Sequence, residues 1–151
     1  MRAVIQRVSR AEITIDHRET RRIGRGLVVF LGVMRGDTQS QADFLAEKTW
    51  GLRVFTDGNG KMNLSLEDVG GELLVVSNFT LGTDCKKGRR PSFDMAAPPE
   101  EAQGLYLRFV SRAKELGIPK VETGEFGAHM DVLCCNDGPV TLMIDTEKIG
   151  K

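Results

Sequence analysis

The sequence predicts an α+β fold in one domain that spans residues 1–151. Segments with strand patterning outnumber those with a helical period, and only two stretches repeat their apolar residues at helical spacing. No internal repeat, low-complexity tract or linker divides the chain. A domain of this size buries roughly 68–70% of the surface of its unfolded chain, so it needs neither a disulfide nor a metal to build a core.

The first part of the chain is predicted to form three strands and a helix. Two strands alternate apolar and polar residues and are expected to pair as a hairpin, whereas the third is continuously apolar and therefore buried on both faces. They are Val4–Val8, Ile13–Ile15 and Leu27–Met34. Asp37 or Thr38 suits the start of a helix that runs to about Trp50, because short polar side chains cap free N–H groups.

The second helix is the clearest element of the sequence. Pro98 and the residues after it suit a first helical turn, the apolar residues recur at helical spacing as far as Leu116, and Gly117 is a natural stop. A polar, basic loop from Gly82 to Ala97 precedes it. The remaining predicted strands are Leu52–Phe55, Leu73–Asn78, Val121–Thr123, Met130–Cys135 and Val140–Asp145.

Charge and cysteine content limit the class of protein. Lys and Arg number 21 and Asp and Glu also number 21, which argues against nucleic-acid binding by bulk charge but allows a local basic patch. Three cysteines, two of them adjacent, make a poor disulfide framework and indicate a reducing compartment. The first residues lack the apolar run of a signal peptide, and no stretch is long enough to cross a membrane. We therefore expect a cytoplasmic protein.

Conventional hydrolase machinery is not evident. The two histidines, His17 and His129, lie far apart among polar or small residues and are expected at the surface. No group of His and Cys residues has the spacing of metal ligands, and no nucleophile elbow or phosphate-binding loop is present.

Three segments are candidates for chemistry. Ser77–Leu81 follows an apolar strand and can offer hydroxyl and backbone donors, or it can simply satisfy its own backbone. Asn136–Thr141 contains Asn-Asp-Gly-Pro, a turn signal expected to connect two strands of a hairpin. Lys86–Arg90 is a dense basic loop that either is solvated or holds RNA phosphates.

Taken together these segments resemble the D-aminoacyl-tRNA deacylase family, also called D-tyrosyl-tRNA deacylases. Its two signature motifs, Ser-Gln-Phe-Thr-Leu and Asn-x-Gly-Pro-x-Thr, correspond to Ser77–Leu81 and Asn136–Thr141. The similarity also covers the first strand, Leu52–Phe55 and Arg90–Phe93. One departure is Asn78, which stands where the family usually has glutamine and is one methylene shorter.

The resemblance implies a β-barrel-like mixed sheet flanked by helices, and a homodimer with its site at the subunit interface and no metal or organic cofactor. The substrate would be the ester that joins an amino acid to the terminal adenosine of tRNA. Ser77, Phe79 and Thr80 would be catalytic, chiefly through backbone N–H groups. The residues implied to bind the substrate are Arg7, Asn78, Phe126, Gly127, Met130, Asn136, Gly138 and Pro139.

In the family the Gly-Pro peptide bond is cis, and each subunit inserts this dipeptide into its partner's site. Carried over, Gly138 and Pro139 would present carbonyl groups that admit a D-amino acid or glycine and reject an L side chain, and Arg7 would help to orient those carbonyls. Either the Thr80 hydroxyl or the ribose 2′-hydroxyl of the tRNA would assist the reaction. Two other functions stay open: a small-molecule esterase or amidase, and a dimeric RNA-binding module without catalysis. A relative that accepts some L-aminoacyl-tRNAs is a third, less well matched by Phe79 and Asn136–Pro139.

Overall fold

The computed structural model describes residues 1–151. It contains eight strands, two α-helices and one short 3₁₀ turn at Phe79–Gly82. The strands are β1 Arg2–Ile15, β2 Glu19–Ile23, β3 Gly26–Gly32, β4 Phe55–Thr56, β5 Met62–Leu64, β6 Glu72–Ser77, β7 Val121–Thr123 and β8 Met130–Asp145. The helices are α1 Gln39–Gly51 and α2 Pro99–Glu115.

The 14-residue strand β1 organises the sheet because both of its edges are paired. Along one edge it runs antiparallel to β8 over nearly its whole length. Along the other edge its first half pairs with β3 and its second half with β2. The sheet continues from β3 through β6 to β7 by parallel pairing, so it is mixed, as predicted. The Arg21 guanidinium of β2 donates to the Thr123 carbonyl of β7 at 2.7 Å, which draws the two ends of the sheet together into a near-barrel.

Each face of the sheet has its own apolar core. A cluster of 21 buried residues fills the space between one face and the helices, and a cluster of seven covers the other. Successive residues of β3 alternate between them: Leu27 and Val29 belong to the first cluster and Val28 to the second. This confirms that the continuous apolar run is a strand buried on both faces.

The two helices begin and end close to the predicted residues. Thr38 precedes α1, where its backbone N–H and hydroxyl both donate to the Gln41 side chain at 2.7 Å. Helix α2 carries Pro99 in its first turn and is capped at Leu116. Neither helix combines the length and the apolar character needed to cross a membrane.

Three strand predictions were wrong in their extent. Val4–Val8 and Ile13–Ile15 are parts of one strand, not of a hairpin, because β8 supports β1 continuously from the side. The hairpin partner of the second half of β1 is instead β2, which was not predicted because most of its residues are charged. Leu52–Phe55 is a strand only from Phe55, because the Leu52 N–H closes α1 by donating to the Lys48 carbonyl at 2.9 Å.

The largest departure concerns the end of the chain. Met130–Cys135 and Val140–Asp145 do not form a hairpin around an Asn-Asp-Gly-Pro turn, because both halves pair with β1 as one interrupted strand. Asn136 pairs with Val8 and Thr141 with Gln6, so four residues of β8 stand opposite Arg7 alone. These three surplus residues cannot stay in the ladder and form a loop that bulges out of it. We call residues 137–140 the Gly-Pro loop.

Candidate functional site

A pocket of about 760 Å³ opens where the carboxyl end of β6, the loop before α2 and the segment before β8 meet. Eight of its 14 lining residues are hydrophobic. The lining residues are Arg35, Ser77, Asn78, Phe79, Phe93, Ala96, Ala97, Pro98, Pro99, Ala102, Phe126, Gly127, Ala128 and Met130. Six of the predicted site residues are thus brought together from two distant parts of the sequence. A largely apolar cleft with a few polar groups is typical of a site for a small organic ligand.

The segment after β6 leaves the sheet at the pocket. Asn78 still donates its N–H to the Leu31 carbonyl of β3 at 2.9 Å, and the chain then turns, with the Leu81 N–H donating to the Asn78 carbonyl at 3.3 Å. Gly32 permits this turn, because a Cβ there would lie 2.9 Å from the Leu81 Cβ and 3.0 Å from the Asn78 carbonyl oxygen. The N–H groups of Phe79 and Thr80 precede the first hydrogen bond of the turn, so the turn itself does not use them.

Thr80 lies beside the pocket but does not line it, and its side chain is exposed. Its hydroxyl donates to the Asn78 side-chain oxygen, which is an amide oxygen and not a base. Arg35 is the only ionisable residue of the pocket lining. A hydroxyl nucleophile needs a base within hydrogen-bond reach, and one chain of this protein supplies none to Thr80.

Phe126 joins the pocket to the core. Its ring is half-buried, lies 6.1 Å from that of Tyr106 and packs against the larger apolar cluster. The Tyr106 hydroxyl donates to the Val75 carbonyl at 3.0 Å, and burial raises the pKa of Tyr106 to about 12. Tyr106 therefore remains neutral near pH 7, and its ring supports that of Phe126. Phe126 therefore both packs against the core and lines the pocket.

The Gly-Pro loop lies outside this pocket: neither Gly138 nor Pro139 lines it, and both are exposed. The Gly138–Pro139 peptide bond is cis. Gly138 has a φ of 137°, and a Cβ there would lie 2.9 Å from the Val140 nitrogen and 3.2 Å from an Arg7 nitrogen. Only glycine combines this backbone conformation with so close an approach.

Arg7 holds the Gly-Pro loop through contacts with Asp137. Its side chain is buried, and its guanidinium donates to the Val54 carbonyl at 2.6 Å and to the Asp137 carbonyl at 2.9 Å. The Asp137 carboxylate lies 3.3 Å from the same guanidinium. A buried cation is stable only when such partners replace its water, so Arg7 is fixed in place and fixes the loop in turn.

Asn136 ties the two ends of the loop together. Its side-chain oxygen accepts from the Val140 N–H at 3.0 Å, and its side-chain nitrogen lies 3.0 Å from the Thr141 hydroxyl oxygen. Both ends of the amide are therefore used within the loop. Asn136, predicted to bind substrate, has the geometry of a residue that shapes the loop.

Sequence reasoning missed part of the pocket wall. Phe93 meets Phe79 edge-on, with ring centroids 5.3 Å apart, and Arg35 brings a positive charge to the pocket. Phe93 had been noted as a matching residue, but nothing in its spacing indicated a contact with Phe79. Arg35 is held by a hydrogen bond from its guanidinium to the Asp94 carbonyl at 2.7 Å. That contact joins two loops 59 residues apart, so only the folded chain reveals it.

The fold corresponds to that of known structures. A solved structure described as c-Myc DNA Unwinding Element Binding Protein matches 96% of this chain and 98% of its own, with a TM-score of 0.89 and 40% identity. A second, described as a probable eukaryotic D-amino acid tRNA deacylase, matches 95% of this chain and 97% of its own with a TM-score of 0.80. At 21% identity the second supports the fold alone.

The sequence comparisons define the family. The model of the family described as D-Tyr-tRNA(Tyr) deacylase matches residues 4–145. Proteins named D-aminoacyl-tRNA deacylase are 53% identical in Thermotoga petrophila, covering 99% of both chains, and 58% identical in Geotalea uraniireducens, covering 98% of this chain and 95% of the relative. The chain belongs to the D-Tyr-tRNA(Tyr) deacylase family, as the sequence motifs had indicated.

The bonds of Asn136 generate a prediction about the Gly-Pro loop. Asn136→Ala removes both side-chain bonds, so the Val140 amide should exchange its hydrogen at least about tenfold faster, which corresponds to roughly 1.4 kcal/mol of lost local stability. Thr141→Val is the matched control, because it removes only the hydroxyl partner and leaves the bond to the Val140 N–H. Hydrogen exchange measured by NMR gives both rates. Equal exchange in Asn136→Ala and the parent protein would show that Asn136 does not hold the loop.

Proposed function

We propose that this protein hydrolyses the ester bond between a D-amino acid and the terminal adenosine of tRNA, and so removes wrongly charged D-amino acids before translation uses them. The observation that carries the proposal is the arrangement of the two family motifs. One forms the wall of an apolar pocket and the other forms a rigid loop at the surface. Family membership over residues 4–145 supports the same reaction.

The pocket suits the end of an aminoacyl-tRNA. Its volume of about 760 Å³ is within the range of pockets that hold small organic ligands. Phe126 offers a ring on which the adenine base stacks, a contact worth about 1–3 kcal/mol in single-strand recognition. Gly127 and Met130 complete this wall, and Arg35 supplies a positive charge near the phosphate. The exposed basic loop Lys86–Arg90 extends the positive surface towards the acceptor stem.

The site is completed by a second subunit. Within one chain the Gly-Pro loop does not line the pocket, although the family resemblance implies that both act at the ester. A homodimer in which each Gly-Pro loop enters the pocket of its partner resolves this separation. The loop is suited to insertion because it is exposed, bulges from the sheet and is held by Arg7 and Asn136.

Selectivity for D-amino acids follows from the rigidity of that loop. The carbonyl groups of Gly138 and Pro139 would receive the α-amino group of the substrate, which leaves no room for an L side chain. Main-chain atoms cannot rotate aside as a side chain can, so the rejection is steric and sharp. A D side chain projects away from the loop, and glycine has none. We infer broad acceptance of D-amino acids and acceptance of glycine attached to tRNA.

Catalysis depends on stabilising the oxyanion that forms when water attacks the ester carbonyl. Ser77 and Phe79 line the pocket and Thr80 lies beside it, so the Ser77 hydroxyl and the N–H groups of Phe79 and Thr80 are the candidate donors. Because the pocket of one chain holds no carboxylate, histidine or cysteine, the ribose 2′-hydroxyl is the favoured group to assist the attacking water. The enzyme would act in the cytoplasm, where aminoacyl-tRNA is used.

The function is tested first with matched D- and L-tyrosyl-tRNA. We expect rapid hydrolysis of the D ester by catalytic amounts of protein and an L ester that decays no faster than in buffer, because the Gly-Pro loop excludes the L side chain. Acid-precipitated radiolabel measures both rates. Small acyl esters serve as the comparison, since an unspecific esterase would cleave them too. Tight binding of D-tyrosyl-tRNA without turnover would contradict the proposal and favour an RNA-binding module.

The role of Thr80 is tested by removing its hydroxyl. Thr80→Ala should retain at least roughly a tenth of the wild-type kcat, whereas loss of a true nucleophile costs on the order of 10⁶. A tRNA that ends in 2′-deoxyadenosine should be almost inert, because it lacks the assisting hydroxyl. Thr83→Ala is the control in the same turn, since the Thr83 hydroxyl contacts the Thr80 carbonyl but not the pocket. An inactive, folded Thr80→Ala protein would instead identify Thr80 as the nucleophile.

The shared site is tested by mixing subunits. Ala128→Trp fills the pocket and Gly138→Val distorts the loop, so each homodimer should be inactive. Random mixing yields one half heterodimers, each with one intact pocket that receives one intact loop. About a quarter of the wild-type activity should therefore return after co-refolding. A mixture that stays inactive, with heterodimers shown by mass spectrometry, would place the loop in the pocket of its own chain.

A further inference from the structure

We propose that His17, His129 and Asp131 form a binding site for a divalent transition-metal ion, with Zn²⁺ as the representative ligand. One ligand atom from each of the three side chains lies within 4.8 Å of the other two. This cluster is separate from the ester-binding pocket, and no step of the proposed hydrolysis uses it. We call it the His-His-Asp cluster.

The backbone places two of the ligands. The β1–β2 turn holds Asp16 and His17 at φ values of 48° and 56°, a left-handed conformation that few residues other than Asn, Asp, His and Gly adopt readily. The Asp16 N–H donates to the His129 carbonyl at 2.9 Å, and the His129 N–H donates to the Asp16 carboxylate at 3.2 Å. His17 and His129 therefore stand side by side, with ring centroids 4.9 Å apart.

The third ligand follows from strand geometry. Asp131 is two residues after His129, at the start of β8, and its register partner on β1 is Thr14. Side chains two residues apart on an extended chain point the same way, so Asp131 faces the same side as His129. Its carboxylate oxygen lies 3.4 Å from His17 Nδ1.

The distances fit coordination. Zinc binds imidazole nitrogen and carboxylate oxygen at about 2.0–2.2 Å, so two tetrahedral ligands lie about 3.4 Å apart. The Asp131–His17 pair already has this separation. The widest pair, at no more than 4.8 Å, needs a closure of about 1.4 Å, which exposed side chains reach by rotation about their χ angles.

The ligand types select the class of ion. Two imidazoles and one carboxylate favour zinc, cobalt, nickel or copper over magnesium and calcium, which prefer sites made of oxygen atoms alone. Three protein ligands leave the fourth position of the ion to solvent. The bound ion would tie the β1–β2 turn to the segment that enters β8, next to Gly127 and Met130 of the pocket wall.

This site could not be recognised from the spacing of its residues in the sequence. His17 and His129 are 112 residues apart and belong to no recognised metal motif, so the sequence led us to expect no metal ligands. The antiparallel pairing of β1 with β8 brings them together. All histidines of the chain belong to the cluster, which makes imidazole signals unambiguous reporters of it.

The test is a titration of the tag-free full-length protein with Zn²⁺, followed by calorimetry and by the NMR signals of the two imidazole rings. We expect saturation at one ion per chain, with both rings shifted together, and no response to Mg²⁺. His17→Asn, which suits the left-handed backbone at that position, His129→Ala and Asp131→Asn should each weaken binding at least roughly tenfold. Arg18→Ala is the matched control, because it alters the same exposed turn without removing a ligand.

Folding of each variant is checked by its thermal unfolding without metal, which these exposed positions should leave unchanged. Saturable binding that leaves the imidazole signals in place would assign the ion to Cys85 or another donor and overturn the proposal. Wild-type affinity in the three ligand variants, or no binding at micromolar Zn²⁺, would overturn it as well.

Discussion

The antiparallel pairing of β1 with β8 is the constraint on which the rest of the molecule depends. β1 pairs with β2, β3 and β8, and β8 follows it from Ile15 back to Arg2. Near Arg7, β8 has three residues for which β1 has no pairing partner. These surplus residues must leave the sheet at that point. The His-His-Asp cluster lies at one end of this ladder and the Gly-Pro loop lies at its middle. The pairing of β1 with β8 therefore positions two distinct surface features.

The buried charge of Arg7 stabilises the Gly-Pro loop. It lies in the gap opened by the surplus residues, where water cannot solvate it fully. The Val54 carbonyl and the Asp137 carbonyl and carboxylate replace that water. The loss of one of these partners would leave the buried Arg7 cation incompletely paired. The Arg7 side chain therefore links the Gly-Pro loop to the segment around Val54. The pocket has a different construction, in which apolar packing around Phe126 and Tyr106 provides the rigidity.

Local patterning predicted those elements whose residues carry their own signal. The N-terminal cap of α1, the helical period of α2 and the continuous apolar run of β3 each specify a structure without reference to the rest of the chain. Strand β2 was not predicted because its charged residues resemble those of a loop. It is a strand only because it pairs with the second half of β1. The Asn-Asp-Gly-Pro sequence has the composition of a hairpin turn, yet it lies within one strand because β1 pairs with both sides of it. For the candidate site, family motifs named most of the residues, but the contacts of Arg35 and Phe93 depend on distant loops.

The surplus residues of β8 also separate the scaffold from the selectivity that we propose. A relative that lacked three residues between Asn136 and Thr141 would keep a ladder with β1 that has no break at Arg7, the buried residues of both apolar clusters and the same pocket. It would lose the loop to which we assign the selectivity for D-amino acids, whereas its fold would not change. A short insertion into a β-ladder can in this way add a functional surface to a protein without altering its scaffold.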